Sequence, residues 1–386
     1  MPVLRSARGR VLLGMAALAA VGVFDGALGV AWPSMRATFD QPLAALGAVY
    51  AAYTGAYFVT SLASGWVLER VGTGVAMLAI AGTAIAGTAT FALAPGWSVV
   101  LVGAAVLGVS GGAADVTLNH EVAQHHGMRA IGFLHAAWGL GATAGPLVVT
   151  AFVAGGRTWR LAFVPVVVIQ TVLLFAYVGV RRDWPAVPRR RDVPDDAEPL
   201  DRVGLAVSVA LFVLYVGIEA GTGAWAFTLL TESRGLSAAT AGAWTAAYWL
   251  ALTAGRVALG ISGERRSPDA VLSASVLAAL ASTALLWGDP AGVGHLALVP
   301  LGLSLASVFP VLVALTPVRL GVHRAARALG VQIAASAVGG VTFPAVLGLG
   351  AQAWGTDALA PMLTACAAGL ALLHAGGRRP PRRTPR

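Results

Sequence analysis

The sequence has no lysine and a single cysteine, Cys366, in 386 residues. Without lysine there is no phosphate-binding G-x-x-x-x-G-K-[ST] loop, so nucleotide-driven chemistry is not encoded in this chain. One cysteine excludes an intramolecular disulfide framework and a cysteine-based zinc site. Charge of either sign is scarce: 11% of residues are charged and 57% are apolar. A soluble domain has about 25% charged and about 45–50% apolar residues. So few polar side chains cannot cover a soluble enzyme, and disorder requires the opposite composition. The class that remains is a polytopic membrane protein, with the lipid bilayer as its surroundings.

A membrane helix needs about 20 mostly apolar residues. Twelve such segments can be marked, at 11–33, 43–68, 74–94, 97–121, 130–154, 160–180, 203–230, 238–262, 269–287, 293–316, 327–350 and 356–375. The first is too long for a cleaved leader and is interrupted by Asp25. Connections are short except at 181–202, where six arginines, four prolines and a cluster of acids mark a solvated linker. The expected organisation is an N-terminal six-helix bundle (1–180), the linker (181–202), a C-terminal six-helix bundle (203–375) and a basic tail (376–386).

The formal charge of +9 comes entirely from arginine on the basic side. Ala, Gly and Arg dominate, as in a GC-rich genome. With the loops numbered alternately, 21 arginines lie on the side of the N-terminus and four on the other: Arg36, Arg157, Arg160 and Arg234. By the positive-inside rule both termini are cytoplasmic, in a bacterial inner membrane. Arginines in short loops beside apolar segments set topology and do not imply a nucleic-acid partner. No obligatory protein partner, cofactor or metal follows from the sequence.

The two halves echo each other. Gly65, Glu69 and Arg70 recur as Gly260, Glu264 and Arg265; Asp25, Gly29 and Trp32 as Glu219, Gly223 and Trp225; Gly132, Gly141 and Pro146 as Gly330, Gly339 and Pro344. All fall at offsets of 193 to 198 residues. Two parallel six-helix repeats are the construction of many secondary transporters, whose substrate site lies near the midplane between the halves.

A charge at the bilayer centre costs roughly 2.5–3.5 kcal/mol on insertion scales, so ionisable residues inside spans are functional candidates. They are Asp25, Asp115, Glu219 and Arg256, with His135 as a polar neighbour. Asp115 and Asn119 are four apart and share a helix face. Asp115 could pair with His135 or with Arg256 of the other half. A carboxylate that changes partners between two states, in a low-dielectric cavity, can take up and release a proton on each cycle. Sodium coupling stays open, because carboxylates serve both ions.

Over essentially its whole length the chain resembles a major facilitator superfamily transporter. Gly65-Trp66-Val67-Leu68-Glu69-Arg70-Val71-Gly72 resembles that superfamily's signature loop between helices two and three, although Glu69 stands where Asp is usual and Thr73 and Gly74 where basic residues are usual. The resemblance implies an all-α membrane protein of twelve transmembrane helices in two pseudo-symmetric bundles. Gating then falls to Gly65, Glu69, Arg70, Glu264 and Arg265, with Gly65 and Gly72 allowing close packing and a tight turn.

Gly111-Gly112-Ala113-Ala114-Asp115-Val116-Thr117-Leu118-Asn119 and Phe133-Leu134-His135-Ala136-Ala137-Trp138-Gly139-Leu140-Gly141-Ala142 resemble the fourth and fifth helices of the fucose permease-like sugar:proton symporters. Glu219 with Trp225 fits that branch's seventh helix. The branch uses acids in helices one and four for proton coupling and substrate recognition, which places these roles on Asp25 and, by type rather than identity, Asp115. A small-molecule substrate such as a sugar would stack on rings, with Tyr53, Trp138, Trp225 and Tyr248 as candidates, and bond to the amides of Asn119 and Gln332.

The alternative is a proton-coupled exporter of drugs or lipophilic metabolites. Gly132, Gly141, Gly145 and Pro146 are spaced like the antiporter motif of such exporters, although the terminal Gly pair is replaced by Val149 and Thr150. An enzyme is disfavoured. Gly108-Val109-Ser110-Gly111 matches the G-x-S-G of intramembrane serine proteases, but it sits mid-helix in a chain of 48 glycines. Substrate identity, transport direction and oligomeric state stay unread.

Overall fold

The computed structural model describes residues 6–125, 127–184, 202–262 and 267–377. Among them every regular element is a helix. Helix α1 is Ala7–Phe39. Leu46–Leu93 breaks at Gly72 into α2 (46–71) and α3 (73–93). Then come α4 (Trp97–His125), α5 (Gly127–Val153) and α6 (Val164–Val180). The second six are α7 (Arg202–Thr228), α8 (Ala238–Ser262), α9 (Pro268–Gly288), α10 (Leu298–Ala306, continuing past Ser307 as Val308–Leu320), α11 (Val322–Trp354) and α12 (Leu359–Gly376).

Ten stretches are long and apolar enough to cross a membrane, against the twelve expected. Two local features make the difference. One stretch, Leu43–Ala92, contains both α2 and α3. Helix α8 has 25 residues, but its Thr, Trp, Tyr and Arg256 residues lower its hydropathy. Gly72 turns the chain with φ 75° and ψ 160°, a conformation that an L side chain would strain.

Helix ends are set by ordinary capping chemistry. The Ser6 hydroxyl accepts from the Gly9 amide at the start of α1, and Ser267 accepts from the Ala270 amide at the start of α9, with Pro268 in the first turn. Asp40 and Asp289 close those helices in the left-handed conformation. The linker residues 185–201 and the tail 378–386 lie outside the described residues.

The helices carry apolar residues all round, so contact faces are chosen by glycine rather than by an apolar stripe. In the first half, a Cβ on Gly141 of α5 would collide with the Ala19 carbonyl of α1. In the second half, a Cβ on Gly339 of α11 would collide with the Val213 carbonyl of α7. The repeat read from sequence is therefore a repeat of packing: the same glycine seats the first helix of each half on its fifth. The larger apolar core runs through both halves and includes Trp32 and Trp225. A smaller one, with Leu13, Met77, Leu118 and Tyr177, fills the first half.

The halves meet on the side of the membrane away from the N-terminus. There Gly29 faces the Gly223 carbonyl, Gly242 faces Thr150, and Ala44 N donates to Gln352 Oε1 at 3.1 Å. Arg36 of the first half pairs with Glu232 of the second at 2.8 Å. On the N-terminal side the pattern is opposite. A Cβ on Gly65, Gly132, Gly260 or Gly330 would meet nothing within 4 Å among the described residues. The close packing expected at Gly65 is thus not formed among the described residues, and the contacts between the halves named here lie on the opposite side.

Three of the four arginines on that side have local partners. Besides Arg36, Arg160 donates to the Ala94 carbonyl at 2.7 Å, and Arg234 lies 3.4 Å from Asp289.

Candidate functional site

The membrane carboxylates of the first half are gathered by one strip of tyrosines on α2. Asp25 of α1 accepts from the Trp138 indole of α5, Nε1 to Oδ2 at 2.8 Å, and Tyr53 is its polar neighbour on α2. Asp115 of α4 accepts from the Tyr57 hydroxyl and from the Asn119 amide, each at 2.8 Å. The Asn119 amide also donates to the Asp115 carbonyl, so it is held over its own helix turn. The Tyr53 and Tyr57 rings lie 6.4 Å apart and link the two acids. Every one of these donors is neutral. Neither acid has an arginine partner among the described residues.

Glycines of α4 bring the tyrosines into place. Gly108 and Gly112 lie against the Tyr53 and Tyr57 carbonyls, too close for any Cβ. Ser110, between them, is buried and donates to the Ile80 carbonyl at 2.9 Å. The protease-like Gly108-Val109-Ser110-Gly111 pattern is therefore a helix-packing seam with a committed hydroxyl.

The acid of the second half has a counter-ion in this conformation. Arg256 Nη2 of α8 lies 2.9 Å from Glu219 Oε2 and 3.1 Å from Oε1 on α7. Tyr215, one turn before Glu219, donates to its carboxylate and accepts from Arg256 at 3.0 Å. Tyr248 of α8 donates to the Glu219 backbone carbonyl at 3.0 Å. Of the two partners that sequence left open for Asp115, Arg256 is thus taken by Glu219. No hydrogen bond or ion pair joins His135 to Asp115 either. The exposed His135 is near enough for the charges of Asp115 and Arg256 to act on it.

Trp138 touches both halves. Its ring is 5.7 Å from the Arg256 guanidinium and packs edge-on against Trp249 at 5.8 Å. The first distance is within the range of a cation–π contact.

Two other candidates serve packing in this conformation. Trp225 is fully buried and donates to the Pro344 carbonyl at 2.9 Å, which ties α7 to α11. Gln332 is fully buried, accepts from Thr316 at 2.9 Å and donates to Ser208 at 2.6 Å. With their polar atoms so committed, neither is available to a solute in this conformation. Tyr53 is half-buried beside Asp25, whereas Tyr248 is buried behind the Glu219 pair.

At the mouth on the N-terminal side, Arg70 folds back on its own helix. It donates to the Trp66 carbonyl at 3.1 Å and lies 3.5 Å from the Trp66 ring centroid. Glu69 beside it is exposed. Glu264 and Arg265 lie outside the described residues.

Sequence reasoning missed Tyr215, Trp249 and the Arg36–Glu232 bridge. The spacing of Tyr215 and Glu219, four apart on one helix, was a usable signal for the first. The other two depend on how the halves meet.

The profile of the Major Facilitator Superfamily matches residues 14–344. No curated protein is significantly similar in sequence. Among solved structures, the chain is similar to the nucleoside transporter NupG at 14% identity and a TM-score of 0.79, over 95% of this chain and 99% of that one. It is also similar to the human organic anion transporter MFSD10 (TETRAN) at 15% identity and a TM-score of 0.68, over 94% and 97% of the two chains. At such identities the likeness is one of fold.

Proposed function

The chain belongs to the major facilitator superfamily of membrane transporters, and from that premise we propose that it is a secondary active, proton-coupled symporter of a small polar solute, best a sugar. It works by alternating access. The conformation described above is the inward-open one if the arginine-rich side is cytoplasmic. The solute then enters and leaves on the side of Gly65, Gly132, Gly260 and Gly330, while Arg36 and Glu232 hold the opposite side shut.

The observation that carries this reading is the environment of Asp25 and Asp115. Both are carboxylates in mid-membrane helices, and both have only neutral donors. An ionised carboxylate without a counter-ion is costly in a medium of low dielectric, and taking a proton removes that cost. The same groups suit a hydroxyl-rich solute, since Asn119, Tyr53 and the two carboxylates supply donors and acceptors, and Trp138 supplies a ring. Glu264 and Arg265 join Glu69 and Arg70 as the latch of the opposite state.

The exporter reading loses its main support to packing. Gly141 and Gly145 each face a carbonyl of α1, which accounts for their spacing without an exporter motif.

The test is a pH electrode in right-side-out vesicles, with monosaccharides and nucleosides added one at a time; a nucleoside carries a sugar and belongs on the panel. External alkalinisation with one of them supports symport and names the substrate class. Silence with all of them, together with proton release from everted vesicles on adding lipophilic cations, replaces the reading with export.

A further inference from the structure

We propose that Trp138 is a positioning residue that carries the charge state of Asp25 from the first half of the molecule to the second. The inference rests on the proton-coupled reading above and adds the element through which the two halves sense the proton.

Trp138 has partners on opposite sides. Its indole N–H is on Asp25 of α1 at 2.8 Å. Its ring is under Arg256 at 5.7 Å and edge-on to Trp249 at 5.8 Å, both on α8 of the other half. The backbone on either side is clamped. A Cβ on Gly22 of α1 would collide with the Trp138 carbonyl, and one on Gly139 would collide with the Thr253 hydroxyl of α8. Helices α1 and α5 therefore meet backbone to backbone, whereas α8 meets α5 here through the side chains of Thr253, Arg256 and Trp249, so rotation of the Trp138 side chain changes the α5–α8 contact and not the α1–α5 one.

A charged Asp25 holds the indole by a charge-assisted hydrogen bond, which is stronger than a neutral one. The ring is then fixed where it meets Arg256 and Trp249. A protonated Asp25 holds the indole by a weaker bond, and the ring can leave its seat on α8. Protonation thus loosens contact between α5 and α8 at mid-membrane and weakens the open-on-one-side conformation relative to its alternative. The ionisable groups of α2 that face Asp25 are Tyr50, Tyr53 and Tyr57. Tyrosine ordinarily titrates near pH 10, so of these groups Asp25 is the one that gives up its proton first as pH rises. The indole of Trp138 does not titrate. His135, Asp115, Glu219 and Arg256 complete the charged groups nearby.

The test reads conformation through one reporter cysteine. Cys366→Ser with Gly65→Cys places a thiol on the N-terminal side of α2, where a side chain fits without collision. Maleimide labelling is followed in membranes from mildly acidic to mildly alkaline pH. The expected result is a several-fold faster labelling at the alkaline end, abolished by Asp25→Asn, which holds the slow rate throughout. Trp138→Phe keeps the ring and removes the N–H; Trp138→Gln keeps a donor and removes the ring. Each should flatten the pH dependence, and either suffices if the other does not fold.

An unchanged pH dependence in a folded Trp138 variant overturns the proposal. So does a flat profile in the reporter parent when the wild type moves protons with solute. If the wild type moves no protons with any solute while the reporter still responds to pH through Asp25 and Trp138, the transport reading fails and the relay stands.

Discussion

Asp25 and Glu219 occupy the same place in the two repeats, 194 residues apart, yet they are held differently. Asp25 accepts from an indole and lies beside a tyrosine, all neutral. Glu219 has an arginine at 2.9 Å and a tyrosine. A buried carboxylate with a counter-ion keeps its charge; one with neutral donors gains by taking a proton. The duplicated scaffold thus carries an ion pair in one half and a carboxylate with neutral donors in the other, which on the proposed reading is the site for the proton; the asymmetry lies in side chains while the glycine packing stays symmetric.

The comparison breaks most visibly at the ion pair. Glu219→Ala leaves Arg256 without its counter-ion, and the expected loss is about 3–5 kcal/mol of stability, read as a lower unfolding temperature in detergent. Glu219→Gln with Arg256→Met should recover most of it, because removing both charges removes the unpaired one. A Glu219→Ala protein as stable as wild type would mean that the partly exposed pair is screened and does not hold α7 to α8.

Asp25→Asn should have the next largest effect, and of a different kind. A proton moving down 100 mV yields about 2.3 kcal/mol, which supports roughly 50-fold accumulation at 1.4 kcal/mol per tenfold. The variant is expected to fall to simple equilibration while keeping partial solute exchange, as measured by counterflow of labelled solute. Proton-driven accumulation at the wild-type level would remove Asp25 from the mechanism.

Symmetry of packing is tested by matched glycines. Gly141→Ala and Gly339→Ala each push a methyl into a carbonyl of the first helix of their half and should cost about 1–3 kcal/mol each. Gly132→Ala and Gly330→Ala meet open space in this conformation and should leave its stability unchanged. The smallest effect is expected at Arg36→Ala. Its bridge to Glu232 is partly exposed, with side chains 29% and 27% accessible, and is worth about 0–1 kcal/mol. That is enough to shift the balance toward opening on the far side, read as faster labelling of a cysteine placed there.

Much of this was legible in the sequence. Composition gave the membrane class. The repeated glycines marked contacts that do recur, Gly141 on α1 and Gly339 on α7. Asp25, Asp115, Glu219 and Arg256 stood out because charge inside a span is costly. Partner choice was not legible. The spans are apolar on all sides, so nothing in their periodicity fixes how each helix is rotated, and rotation decides whether Arg256 meets Glu219 or Asp115. For the same reason Gln332 and Trp225 read as available polar and aromatic groups, although both are engaged in tying α7 to its neighbours. The Arg36–Glu232 bridge links residues 196 apart, and only the docking of the halves brings them together.

The central claim is that the proton rides on Asp25 while Glu219 stays paired with Arg256. Its most direct test is the number of protons that enter per solute in right-side-out vesicles, measured for the wild type, Asp25→Asn and the double variant Glu219→Gln with Arg256→Met. The account predicts proton entry with solute in the wild type and in the double variant, and none with Asp25→Asn. Proton entry undiminished in Asp25→Asn, or lost only when the Glu219–Arg256 pair is neutralised, would contradict it.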